Sequence, residues 1–140
     1  MKIMGLDVGS KTIGVAVSDD MGWTAQGVST IIRKSIGRDL EELKKLTEQY
    51  NPSEIVVGLP KNMDGTIGKQ AEEVLAVAEI IERSLNIPVT TRDERLSTVA
   101  ANRVLLEADL SRKKRKKVIH KMAAVFVLQD TWIAKRGSPP

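Results

Sequence analysis

The segment that most limits what this chain can fold into is Ile55-Val56-Val57-Gly58-Leu59, an apolar run with no polar alternation. A strand with one wet face alternates with period two, so a short unbroken apolar run belongs to a strand covered on both sides. The downstream segments agree with that placement. Pro60 to Gly68 is rich in turn formers, and Ala71, Val74, Leu75, Ala78, Ile81 and Leu85 then form one helical stripe. Pro88 to Thr91 reads as a further strand, ending in Arg92-Asp93-Glu94-Arg95. Strand, helix and strand in this order make a parallel unit with its crossover helix packed on the sheet.

The N-terminal part has the opposite character. Ile3, Gly5 and Asp7 alternate with Met4, Leu6 and Val8, Gly9-Ser10-Lys11 supplies a turn, and Ile13, Val15 and Val17 alternate again. A hairpin is the simplest reading, with a third strand near Val28 to Ile32 completing a meander. Leu40, Leu43 and Leu46 place a helix over Arg38 to Tyr50, which Asn51-Pro52 terminates. Ser97 or Thr98 is a suitable cap for a helix reaching Ala108, and a final helix is expected over Val118 to Lys135. The predicted fold class is therefore α/β: a mixed five-stranded sheet, antiparallel in its first three strands and parallel in its last two, with helices on both faces.

A chain of 140 residues suits one domain spanning 1–140, since a domain of that length buries roughly two-thirds of its unfolded surface. No stretch approaches the roughly 20 consecutive apolar residues of a membrane span, and the N-terminus lacks the zones of a signal peptide. There is no cysteine, which excludes disulfides, thiolate metal sites and thiol nucleophiles. A cytoplasmic protein without membrane association is expected.

In open sheets of this kind, sites form beyond the carboxyl ends of the parallel strands. Asp7, the Pro60 to Gly68 loop and Glu94 all fall there. Carboxylates brought together from separate strands repel each other, and a divalent cation with hard oxygen ligands relieves that repulsion. Such acids, close in space and distant in sequence, suit metal-assisted hydrolysis of phosphodiesters. The ordinary alternatives are a strand-end turn residue for Asp7 and a surface ion pair with Arg92 or Arg95 for Glu94. The net charge of +4 is unevenly spread, because Arg112, Lys113, Lys114, Arg115, Lys116 and Lys117 are contiguous. Such a run neutralises phosphates and releases counterions, so a nucleic acid is the expected partner, although a solvated flank of a helix has the same composition.

Three blocks together carry a resemblance: Gly5-Leu6-Asp7-Val8-Gly9-Ser10-Lys11-Thr12-Ile13-Gly14-Val15-Ala16-Val17-Ser18-Asp19, Gly58-Leu59-Pro60-Lys61-Asn62-Met63-Asp64-Gly65-Thr66, and Asp93-Glu94-Arg95-Leu96-Ser97-Thr98. In this order they resemble the YqgF family, also called RuvX, of pre-16S rRNA nucleases and Holliday junction resolvases. The resemblance covers essentially the whole chain and implies an RNase H-like fold, with metal-binding acids at Asp7 and Glu94. It also implies a third acid just before Ala123-Ala124, where this chain has His120. As a ligand, a neutral imidazole there would suit Mn2+ better than Mg2+; as a general base it would activate water near neutral pH; the ordinary alternative is a polar residue on a helix edge, with activity reduced or lost.

The expected site is thus Asp7, Glu94 and His120, as metal ligands and catalytic groups for Mn2+ or Mg2+. Lys11, Asn62, Arg95 and the residues Arg112 to Lys117 would contact the nucleic acid. Structured RNA is the expected substrate, with the 5′ end of pre-16S rRNA as the preferred target. Branched DNA is the alternative, and a non-catalytic RNA-binding or ribosome-assembly module is a further one. A monomer or weak homodimer is expected, since no dimer helix is evident. A nucleotide-binding module is disfavoured because no Walker-type Gly-Lys-Ser/Thr motif is present.

Overall fold

The computed structural model describes residues 2–18 and 25–93 together with helical residues 123–125 and 127–128. Its strands are β1 (Ile3–Val8), β2 (Thr12–Ser18), β3 (Ala25–Ile32), β4 (Glu54–Leu59) and β5 (Val89–Asp93), and its helices are α1 (Ile36–Tyr50) and α2 (Lys69–Leu85). They form one five-stranded sheet of order β3-β2-β1-β4-β5. β1 and β2 pair antiparallel, as do β2 and β3, whereas β4 runs parallel to both β1 and β5. This is the mixed sheet that the apolar patterning predicts, with the doubly covered strands β1 and β4 at its centre.

Strand alternation divides the core between the two faces. Met4, Leu6, Val8, Val15, Ile55, Val57 and Leu59 pack with Leu43 of α1 and with Ala71, Val74, Ala78 and Ile81 of α2. The opposite face carries Ile3, Ala16 and Val56, covered by Ala124, Val127 and Leu128. Gly5 permits this second contact. A Cβ added there would lie 2.7 Å from Leu128 Cγ and 3.0 Å from the Ala124 carbonyl oxygen, so the helical segment sits directly on the β1 backbone.

Local chemistry explains the boundaries. Ser35 caps α1 by accepting from the Arg38 N–H, which starts the helix two residues before the expected Arg38. Asn51 and Asn86 adopt left-handed conformations and close α1 and α2 through N–H bonds to the Thr47 and Glu82 carbonyls. Leu75 departs from expectation, being 39% exposed, because the buried stripe of α2 runs 71, 74, 78, 81 and leaves Leu75 at its margin. No helix among the described residues is long and apolar enough to cross a membrane. The helix expected from Ser97 or Thr98 to Ala108 lies outside the described residues.

Candidate active site

Asp7 is the seventh residue of the chain and one of few buried polar groups, only 3% exposed. It shares a sheet face with Ile3 and Gly5, the face over which Ala124 and Leu128 pack. Its cross-strand partner on β2 is Gly14. On the other side the β1–β4 register pairs Leu6 with Val57, so one step further Asp7 stands level with Gly58. Both lateral neighbours of this carboxylate are therefore glycines. Glycine inside a strand commonly marks a close approach by a ligand or another backbone.

Register extends this row to β5. Gly58 pairs with Arg92 and Leu59 with Asp93, so Arg92 projects on the Asp7 face and Asp93 on the face covered by α1 and α2. The same parity puts Thr90 on the Asp7 side, where its hydroxyl donates to Glu54 Oε1 at 3.0 Å. Two strand spacings, about 10 Å, separate Asp7 and Arg92, with only Gly58 between them.

The turn after Asp7 is clasped from the opposite side. Arg33 Nη1 donates to the Gly9 carbonyl at 2.9 Å, while its Nε donates to Asp39 Oδ2 at 3.1 Å. The Arg33 N–H also donates to the Lys11 carbonyl at 2.9 Å, and the second Asp39 oxygen accepts from the Lys34 N–H at 3.1 Å. Asp39 is 2% exposed, so this ion pair works largely out of water and ties the turn to the start of α1. Ser10 and Lys11 are exposed at the tip of the turn. Lys11 thus stands in the turn that follows the carboxyl end of β1.

The loop after β4 is closed on itself. Asn62 Nδ2 donates to Thr66 Oγ1 at 3.0 Å, Thr66 Oγ1 donates to Asp64 Oδ1 at 2.6 Å, and the Thr66 N–H donates to the same oxygen at 2.9 Å. Gly65 supplies the positive φ of 89° that the bend needs. Gly68 lets Asn62 approach, because a Cβ there would lie 3.0 Å from Asn62 Oδ1. Asn62, expected to meet nucleic acid, thus spends its amide inside the loop and shapes it.

Ser18 has a structural task at the other end of the sheet, where its buried hydroxyl accepts from the Ile3 N–H at 2.7 Å. Glu94, Arg95, His120 and Arg112, Lys113, Lys114, Arg115, Lys116 and Lys117 lie outside the described residues. Among the described residues no group of three or more His, Asp or Glu side chains is placed to hold a metal. Sequence reading missed Arg33, Asp39 and Arg92. The first two had no signal, since Arg33 is 24 residues from its Gly9 partner. Arg92 joins the Asp7 face only through the pairing of β5 with β4, which the sequence does not give.

A family model described as RuvX, Holliday junction resolvase, matches residues 1–134. The chain belongs to the RuvX family. A family relative from Clostridium acetobutylicum named "Putative pre-16S rRNA nuclease" is 59% identical over 129 residues, covering 92% of this chain and 96% of its own. A relative of the same name from Clostridium kluyveri is also 59% identical over 129 residues, covering 92% and 94%. Among solved structures, RuvC of Thermus thermophilus in complex with a Holliday junction substrate superposes with a TM-score of 0.62 at 16% identity, covering 98% of this chain and 97% of that one. The Holliday junction resolvase of fowlpox virus gives 0.52 at 15% identity, with coverages of 96% and 98%. These structural likenesses show that the RuvX chain has the RNase H-like α/β fold.

Proposed function

We propose that this chain is a metal-dependent nuclease that hydrolyses phosphodiester bonds in structured RNA, with the 5′ end of pre-16S rRNA as its target. The observation that carries the reading is Asp7: a buried carboxylate on the central strand of a RuvX chain, flanked on its own face by Gly14 and Gly58. The names of the relatives from Clostridium supply the substrate.

The donor set suits a divalent ion. Asp7 offers a hard oxygen at a position flanked by two glycines. Glu94 follows Arg92 by two residues in the sequence, the period of a strand. His120 precedes Ala124 by four residues, the spacing of about one helical turn. Asp7, Glu94 and His120 would then hold Mn2+ or Mg2+, with the imidazole favouring Mn2+. When bound, the metal supplies an activated water and neutralises charge on the phosphate. Asp7 and Glu94 would hold the ion, and His120 would be either a third ligand or the base that takes a proton from water. Arg95 orients Glu94 or holds a phosphate. Lys11 and the run Arg112 to Lys117 grip the backbone. One domain spanning 1–140, cytoplasmic and monomeric or weakly dimeric, is sufficient for this reaction.

Branched DNA is a second reading, favoured by the description of the family model. Symmetric junction cleavage needs two active sites related by a dyad. Gel filtration with and without a four-way junction separates the two readings, because resolution requires a dimer on the junction.

The deciding experiment is cleavage of a labelled pre-16S rRNA 5′ fragment with Mn2+ or Mg2+. Asp7→Asn should lower cleavage by on the order of a hundredfold or more, since even outer residues of a metal site are worth 10- to 100-fold. His120→Asp should shift the metal preference toward Mg2+. Binding of the fragment by all three proteins without cutting by any would instead leave an RNA-binding or assembly module.

A further inference from the structure

We propose that Arg92, on the Asp7 face of the sheet, holds a backbone phosphate of the substrate. This rests on the nuclease reading and adds a substrate contact to it.

The row running across the sheet at this level is Gly14, Asp7, Gly58, Arg92, with all four positions on one face. It places one anionic and one cationic side chain about 10 Å apart, with no side chain at the position between them. A phosphate is a tetrahedral anion that needs a cation on its far side if the near side is taken by a carboxylate site and its metal. Arg92 supplies that cation, and its forked guanidinium matches two phosphate oxygens at once.

Arg92 is half-buried, and it makes no ion pair or side-chain hydrogen bond among the described residues. Two exposed cations of the described residues are engaged, Arg83 with Glu79 at 2.6 Å and Lys45 with Glu42 at 3.6 Å. The two neighbours of Arg92 along β5 point away from it, because Thr91 and Asp93 share the opposite face with Val57 and Leu59. Asp93 therefore does not neutralise it. Gly58 is integral to the arrangement: any side chain at that position would stand between the two charges.

The test measures both binding and cleavage for the full chain carrying Arg92→Gln, Arg92→Lys or Arg92→Ala. Binding is read as the Kd of a labelled pre-16S rRNA 5′ fragment in EDTA, across a range of KCl. Cleavage is read as KM and kcat with Mn2+. Arg92→Gln and Arg92→Ala should each weaken binding severalfold and make the slope of log Kd against log salt shallower by about 1, the signature of one lost phosphate contact. Arg92→Lys, a point charge without the fork, should restore the slope and recover most of KM. Matching thermal melts of Arg92→Gln and the parent guard against misfolding as the cause. An unchanged Kd and salt slope in Arg92→Gln overturns the inference, and so does a severalfold loss that Arg92→Lys leaves unrepaired in slope. The parent reading fails separately. If the wild type binds and never cuts while Arg92→Gln shows the shallower slope, the nuclease assignment falls and the phosphate contact stands.

Discussion

Replacing Gly5 with alanine should destabilise the protein by crowding the helical segment that packs on β1. The new Cβ would lie 2.7 Å from Leu128 Cγ, 3.2 Å from Leu128 Cδ2 and 3.0 Å from the Ala124 carbonyl oxygen. Carbon atoms in comfortable contact stand about 3.5–4.0 Å apart, so the helical segment must rise by roughly 1 Å or Leu128 must leave its rotamer. The leucine has some freedom, whereas the Ala124 carbonyl belongs to a helix and cannot turn aside. Overpacking of this kind costs about 1–3 kcal/mol. Removing a glycine from a strand interior returns about 0.5–1 kcal/mol, which leaves a net loss of at most about 2.5 kcal/mol.

Leu128 is fully buried, and Leu128→Ala alone should cost about 2–5 kcal/mol. In the double variant the Gly5→Ala methyl enters the space that Leu128 vacates. The combined loss should therefore fall short of the sum by about 1 kcal/mol. Urea unfolding followed by far-UV circular dichroism measures all three variants, with unchanged m-values as the condition for comparison. Additive losses within about 0.5 kcal/mol would refute the argument that the contact with Leu128 is why residue 5 is glycine.

Asp39→Ala should cost about 2–4 kcal/mol, because it leaves Arg33 without its partner and releases the Gly9 turn, whereas Arg83→Ala, at an exposed pair, should change stability by less than about 0.5 kcal/mol. Urea midpoints of the two variants check this contrast. Asn62→Ala should lose about 0.5–1.5 kcal/mol by opening the bond to Thr66, and hydrogen exchange at Gly65 and Thr66 should quicken in the same variant. Replacing Lys113, Lys114 and Lys116 with alanine should reduce the salt slope of RNA binding by about 2, read by the same titrations as for Arg92.

Strand and helix identities were legible in the sequence because each depends on a local period. The unbroken run Ile55 to Leu59 announced a strand covered on both faces, and β4 is buried along that length. The separation of an antiparallel N-terminal meander from a later parallel unit followed from connection lengths, three residues between β1 and β2 and a whole helix between β4 and β5. Asp7 was also legible as a candidate, since a carboxylate at a core-facing strand position is costly to bury without a task. Errors were local: α1 begins at its Ser35 cap, and Leu75 lies at the margin of the α2 stripe.

The surroundings of Asp7 were decided by tertiary structure alone. Gly14, Gly58 and Arg92 become its row through hydrogen-bond register between strands, and a slip of one residue would have turned Arg92 to the other face. The clasp of Arg33 on Gly9 joins positions 24 residues apart, and the seat of Leu128 on Gly5 joins opposite ends of the chain. Periodicity along a chain determines which face of an element a residue occupies. Which residues meet across that face depends on how the elements pair and pack, and only the assembled sheet contains that information.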